Sequence, residues 1–195
     1  MAPYLERWLE ELVATPGMTG IDDLANARRT LLDDALRAVP IVTQVAGSVV
    51  DVGSGGGSPG VPLAVTFPER PFTLLEAQRR KCDFLERATS PLANVKVVWG
   101  RAEEQSIDSY GVALAKALAK PPVAAELCLP LVSLDGVALL WLGESADLDA
   151  VEKVSKQLGA RLERDLGGLV VLRKVNPTPT GFPRRPGMAK KRPLA

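Results

Sequence analysis

The sequence predicts an α/β fold: a mostly parallel sheet with helices on both faces. Three observations carry this prediction. From residue 48 onward, short apolar runs alternate with segments of helical period, the signature of strand–helix–strand units. Directly after the first apolar run comes "DVGSGGGSPG", residues 51–60, with five glycines and a proline. The next two runs lead into carboxylates, Glu76 and Glu103.

The elements follow in order. Residues 4–13 place Leu5, Trp8, Leu9 and Leu12 at i, i+3, i+4 and i+7, an amphipathic helix that "TPGMTG" breaks. A second helix is expected from Asp22 to Val39, with Leu24, Ala27, Leu31 and Ala35 on one face and Pro40 closing it. The period then changes. "GSVVDVG" is a buried strand, "VPLAVTF" a helix, "PFTLLEA" a second strand and "QRRKCDFLERA" a helix. "VKVVWG" and "GVALAKA" are the third and fourth strands. "PPVAAELCLPLV" is a helix whose prolines suit its first turn, and "GVALLWL" is the fifth strand. A helix spans Asp147–Leu158, with Leu148, Val151 and Leu158 inward. The runs "ARLERDL" and "LVVLRKV" about Gly167–Gly168 read as a β-hairpin that supplies an antiparallel strand. No regular structure is expected after Asn176. The organisation is thus a helical extension over residues 1–40, a seven-stranded domain over 41–175 and a tail over 176–195.

Composition bounds the function. The 195 residues are 46% hydrophobic and 24% charged, ordinary for a globular domain with a real core. The longest apolar stretches fall short of the ~20 residues that span a bilayer, and acids run through the N-terminal apolar segment, unlike a signal or transit peptide. A cytoplasmic protein without a membrane partner is expected, with Cys82 and Cys128 as reduced core thiols. The absence of histidine rules out histidine general bases and the usual histidine-rich metal sites, so no metal is expected. Of the 24 basic residues, Arg184, Arg185, Lys190, Lys191 and Arg192 lie in the last twenty, which contain no acid. The remaining 19 stand against 23 acids. A mildly acidic body with a basic, proline-rich tail suits contact with a polyanion, although such a tail also serves as a solvated extension over a sheet edge.

In an open α/β sheet the ligand sits at the carboxyl ends of the strands, and a glycine loop there lets it approach the backbone. Two cofactors suit this loop. Gly55, Gly57 and Gly60 spell the dinucleotide fingerprint G-x-G-x-x-G, which keeps NAD open. Read from Asp51, the pattern is D-x-G-x-G-x-G, which resembles motif I of class I S-adenosylmethionine-dependent methyltransferases. Glu76, 19 residues after Gly57, can accept ribose hydroxyls from either cofactor.

A wider resemblance covers residues 48–195. "DVGSGGGSPGVPLA", "LLEAQRRKCDFLERA", "GRAEE", "KALAKPPVAAELCLPLV" and "NPTPTGFPRRPGMAKKRPL" occur in the order found in the glucose-inhibited division protein B family. These are bacterial methyltransferases that act on guanine N7 in 16S ribosomal RNA. The resemblance implies a class I S-adenosylmethionine-dependent methyltransferase (Rossmann-like) fold with S-adenosyl-L-methionine as cofactor. Gly53, Ser54, Gly55, Gly57 and Ser58 would hold its methionine half, Asp51 would stand near its ammonium, Glu76 would bind the ribose, and Ala102 and Glu103 the adenine. The partner would be small-subunit ribosomal RNA or the assembling subunit, met by Arg184, Arg185, Lys190, Lys191 and Arg192, with the chain a monomer. No catalytic base is expected, because guanine N7 is already nucleophilic.

Three polar positions depart from the family. Lys116 in "KALA" replaces an arginine that looks like a cofactor or substrate contact, so charge is kept and the planar fork lost. Leu142 in "WLG" stands where a lysine is usual, and Thr30 where a histidine is. These leave two alternatives beside NAD chemistry: a methyltransferase for another RNA or a small molecule, and a cofactor-binding, RNA-associated protein with little turnover.

Overall fold

The computed structural model describes residues 2–143 and 145–195. Helix α1 (Ala2–Ala14) is followed by α2 (Leu24–Ala27), α3 (Asp34–Leu36) and α4 (Val39–Gln44). Strand β1 (Val49–Val52) leads through the glycine loop to α5 (Gly60–Thr66), then β2 (Phe72–Glu76), α6 (Arg79–Ala88) and β3 (Val95–Trp99). Next come β4 (Tyr110–Lys116), α7 (Pro121–Cys128), β5 (Val132–Trp141), α8 (Leu148–Gln157), β6 (Ala160–Asp165), β7 (Leu169–Lys174) and α9 (Met188–Lys191).

One seven-stranded sheet has the order β3-β2-β1-β4-β5-β7-β6. The first five strands in that order are parallel, with Val49 opposite both Phe72 and Val112. The hairpin inserts its second strand, so that β7 lies antiparallel to both β5 and β6. All four β1 residues are buried, as a central parallel strand covered on both faces requires. Val50, Val52, Ala113, Ala115, Ala138 and Leu140 pack against α7 and α8 on one face. Val49, Phe72, Val112, Leu114, Val137 and Leu139 pack against α4 and α5 on the other. On that second face, Leu5, Trp8, Leu9 and Leu12 of α1 join Val61, Leu74, Phe84 and Leu85 in a shared core.

Three elements differ from expectation. The helix expected over 22–39 is interrupted: Arg28–Asp33 forms a wide π-helical turn between α2 and α3. Pro40 opens a further helix, α4, instead of closing the previous one, because proline fits the first turn, where no N–H bond is needed. The tail contains α9, whose Ala189 is buried against the α7 face of the core. Cys82 and Cys128 are buried and unpaired. Among the described residues no helix is long and apolar enough to cross a membrane.

Candidate functional site

Strand β1 is the point where the order reverses, since β2 and β4 flank it and the chain leaves it first to one side and later to the other. A crevice must open there at the carboxyl ends of the strands. Two cavities occupy it. The first, of about 430 Å³, opens beyond β1, β2 and β3 and is lined by Gly53, Glu76, Ala102 and Glu103 together with Leu118 and Leu127. The second, of about 400 Å³, lies beyond β4 and β5 and is lined by Thr30, Asp34, Lys116, Trp141 and Leu142. Ala117 and Leu118 belong to both walls.

The glycine loop is built from below. Gly53 turns the chain out of β1 at φ +70°, and a Cβ there would lie 2.4 Å from Leu118 Cδ1. Gly55 (φ +58°) donates its N–H to Glu76 Oε2 at 2.9 Å, and the Gln78 N–H donates to Oε1 at 2.8 Å. Two backbone amides therefore hold the Glu76 carboxylate at the cavity wall while lone pairs on both oxygens stay available. Gly57 (φ +106°) is turned away from the cavity, where a Cβ would strike Val61 and crowd Leu85 and Trp8. The Gly56 carbonyl accepts the Trp8 indole N–H at 3.0 Å, and a Cβ on Gly56 would sit 2.2 Å from Leu12 Cδ1. The N-terminal helix thus shapes the loop by filling the space behind it.

Several residues expected at the cofactor do not line the first cavity. Asp51 is 1% exposed and sits on the α5 face of β1, because alternate strand residues point to opposite faces and it is Val52 that faces the cavity. Its Oδ2 accepts the Gly60 N–H at 3.1 Å, which ties the start of α5 to β1. Burial pushes its carboxyl up to about 7; the Gly60 and Ser54 hydrogen bonds oppose that rise and the nearby Glu76 carboxylate adds to it. Ser54 is buried, and its hydroxyl donates to the Asp51 carbonyl at 2.8 Å. Ser58 donates to the Leu31 carbonyl at 2.7 Å, anchoring the loop to the π-helical turn. Of the fingerprint glycines, Gly57 and Gly60 are used for packing, with a Gly60 Cβ only 2.5 Å from Leu74 Cδ2.

Lys116 lies in the second cavity, not the first. Its ammonium is 6.0 Å from the Trp141 ring centre, pairs with Asp34 and donates to the Thr30 carbonyl at 2.6 Å. Burial would raise the Asp34 carboxyl, but side-chain hydrogen bonds from Lys116 and Arg37 outweigh it and hold the group below its usual value. The Trp141 indole N–H donates to the Asp34 carbonyl at 3.1 Å, so one residue of α3 fixes both the lysine and the ring. The three departures, Thr30, Lys116 and Leu142, all line this one cavity. Ala117 completes the wall at φ +53°, a left-handed conformation costly for a residue with a Cβ.

The tail cations separate. Arg184 donates through Nε and Nη2 to both carboxylate oxygens of Glu126, at 2.6 and 2.7 Å, and Glu126 is 4% exposed. Arg184 is therefore committed to the protein and not offered to a phosphate. Arg185, Lys190, Lys191 and Arg192 are exposed. Gly187 and Lys190 line the first cavity, which the sequence pattern gave no reason to expect. Glu103 accepts the Gly187 N–H at 2.8 Å. Asp34 likewise carried no sequence signal, because its partner Lys116 is 82 residues away.

Sheet order, glycine turn and the carboxylate at the end of β2 together define a class I S-adenosylmethionine-dependent methyltransferase. Solved structures share the fold. The pyocyanin biosynthetic protein PhzM superposes with TM-score 0.60 at 16% identity, over 78% of this chain and 57% of that one. A T. thermophilus 16S rRNA methyltransferase solved with AdoMet and guanosine gives 0.51 at 15%, over 69% and 36%. Residues 2–163 match the family described as rRNA small subunit methyltransferase G, and the chain belongs to that family. The family's member from Pelotomaculum thermopropionicum is 38% identical over 178 residues, covering 82% of this chain and 74% of the relative. The member from Halalkalibacterium halodurans is 32% identical, covering 98% and 87%.

Proposed function

We propose that the protein transfers the methyl group of S-adenosylmethionine to N7 of a guanine in small-subunit ribosomal RNA, in the cytoplasm. The observation that carries this reading is the pair of cavities sharing the Ala117–Leu118 wall, since a group-transfer enzyme must bring donor and acceptor to one point. The first cavity suits an adenosyl ligand. Gly53 leaves room where a side chain would stand, Glu76 presents carboxylate oxygens to ribose hydroxyls, and Ala102 with Leu127 supplies a small apolar wall for a purine. Glu103 lies at the purine end.

When bound, the cofactor supplies an electrophilic methyl group on a sulfonium. The protein's part is placement. Trp141, Leu118 and Leu142 form the apolar side of the second cavity, which suits a flat base, while Lys116 and Arg37 against Asp34 leave it net positive, which suits the base's own phosphate. No proton has to leave guanine N7 before it attacks, so the transfer needs no general base in this cavity. Arg185, Lys191 and Arg192 would add phosphate contacts beyond the cavity.

The decisive experiment is to map N7-methylguanine in small-subunit RNA from a strain lacking the gene and from the complemented strain. A methylguanine lost on deletion and restored by the gene is expected. An unchanged pattern would reject the activity, and calorimetric binding of NAD without S-adenosylmethionine would reject the cofactor.

A further inference from the structure

We propose that the segment 184–192 is a wall of the cofactor site, latched by Arg184 on Glu126, so that its docking and cofactor binding strengthen each other. This rests on the reading that the first cavity takes S-adenosylmethionine.

Two residues of the segment face the cavity, Gly187 and Lys190. Gly187 is held there by the 2.8 Å hydrogen bond from its N–H to Glu103, next to the buried Ala102 on the same wall. It needs φ +81°, yet nothing lies within 4 Å of where its Cβ would be. The glycine is thus present for backbone conformation and not for space. Between the two lining residues, Ala189 is 2% exposed and packs on the α7 side of the core.

The latch sits on either side of this stretch. Arg184 forms its two-pronged pair with Glu126 of α7, and its Nη2 also donates to the Arg192 carbonyl at 2.9 Å, joining the two ends of the segment. The pair raises the tendency of the arginine to stay charged, and Glu126, almost fully buried, has no solvent to replace it. A basic tail serving only as a flexible arm for phosphates has no reason to commit an arginine to a buried carboxylate. A wall that must be held closed has one.

Ala189 is the segment's only residue in the buried class, so its undocking samples the low end of the local stability range. Whatever binds only the closed cavity must stabilise the docked segment by the same factor that the docked segment strengthens its binding. Gly187 and Arg184 are positioning residues in this scheme; Lys190 is the side chain brought to the ligand. The exposed Arg185, Lys191 and Arg192 on the same segment remain free for RNA, so a polyanion that grips them is coupled to the cofactor site.

The test uses the full-length protein, S-adenosylhomocysteine as probe and a short small-subunit RNA fragment. Arg184→Gln removes the latch. Gly187→Ala leaves the ion pair and the core intact and meets no atom, so it reports even if Arg184→Gln fails to fold. Both are expected to weaken S-adenosylhomocysteine by about tenfold in calorimetry, within the usual range of coupling between sites. In the wild type, saturating S-adenosylhomocysteine is expected to slow tryptic cleavage after the exposed Lys191 of α9 by a similar factor, a ligand dependence that a merely structural tail would not show. Wild-type affinity in Gly187→Ala together with no protection of the bond after Lys191 overturns the proposal. Weakened RNA binding with unchanged S-adenosylhomocysteine affinity also overturns it and makes the segment an RNA arm. Failure of the wild type itself to bind S-adenosylhomocysteine sinks the cofactor reading instead, whatever the variants do.

Discussion

Asp51 should make the protein lose stability as pH rises from about 4 to about 7, and Asp51→Asn should remove that loss. The carboxyl titrates at about 7 in the folded chain because burial penalises its charge. In an unfolded chain it titrates near 3.9. Between those values the folded state holds one more proton than the unfolded state, so stability falls as pH rises across the window and the loss is complete above pH 7. About three pH units at roughly 1.4 kcal/mol each give about 4 kcal/mol. Asparagine keeps an oxygen that accepts the Gly60 N–H and cannot ionise. Urea denaturation of both proteins at pH 5, 6, 7 and 8 measures the effect, and all other titrating groups cancel in the difference. From pH 5 to 8 the measurement spans about two of those three units, so the variant should gain on the wild type by about 2–3 kcal/mol. Parallel stability profiles would refute the reasoning, because they would place the Asp51 pKa outside the window.

Gly53→Ala forces a Cβ onto a residue at φ +70° and against Leu118 Cδ1, so it should cost about 1–2 kcal/mol of stability and weaken S-adenosylhomocysteine in calorimetry. Trp8→Phe removes the indole N–H from the Gly56 carbonyl and should lower unfolding free energy by about 1 kcal/mol in urea titration. Lys116→Ala leaves Asp34 without its ammonium partner in the second cavity, and should reduce the rate of methyl transfer to small-subunit RNA while cofactor affinity stays unchanged. Replacing Arg185, Lys191 and Arg192 with glutamine should flatten the slope of log affinity for single-stranded RNA against log salt by about 2.

The strands and the glycine turn were legible because their signals are local. Val49–Val52 is a continuous apolar run, and the loop's glycines advertise a backbone that leaves the usual φ range. The carboxylate at the end of β2 was legible for the same reason, since its distance from the loop is fixed by one helix and one strand. What each loop residue does was less legible. Gly53 lines a cavity, whereas Gly57, two turns of the same pattern later, packs on Trp8. Strand alternation was the overlooked signal at Asp51: Val52 faces the cavity, so its neighbour cannot. The break in the second helix and the start of α4 just before Pro40 were misread because apolar periodicity continues straight through both.

By itself the sequence determined the α/β class, the order of its elements, the place of the loop and the family, all of which rest on patterns within a few residues or on ordered motifs. Only the tertiary structure decided which charges are free. Arg184 looked like one of five equivalent tail cations until the fold set it on Glu126, 58 residues away, and Lys116 looked like a cofactor or substrate contact until α3 delivered Asp34 to it. Ion pairs of this kind depend on which surfaces dock, and docking is a property of the whole packed chain that no local spacing encodes.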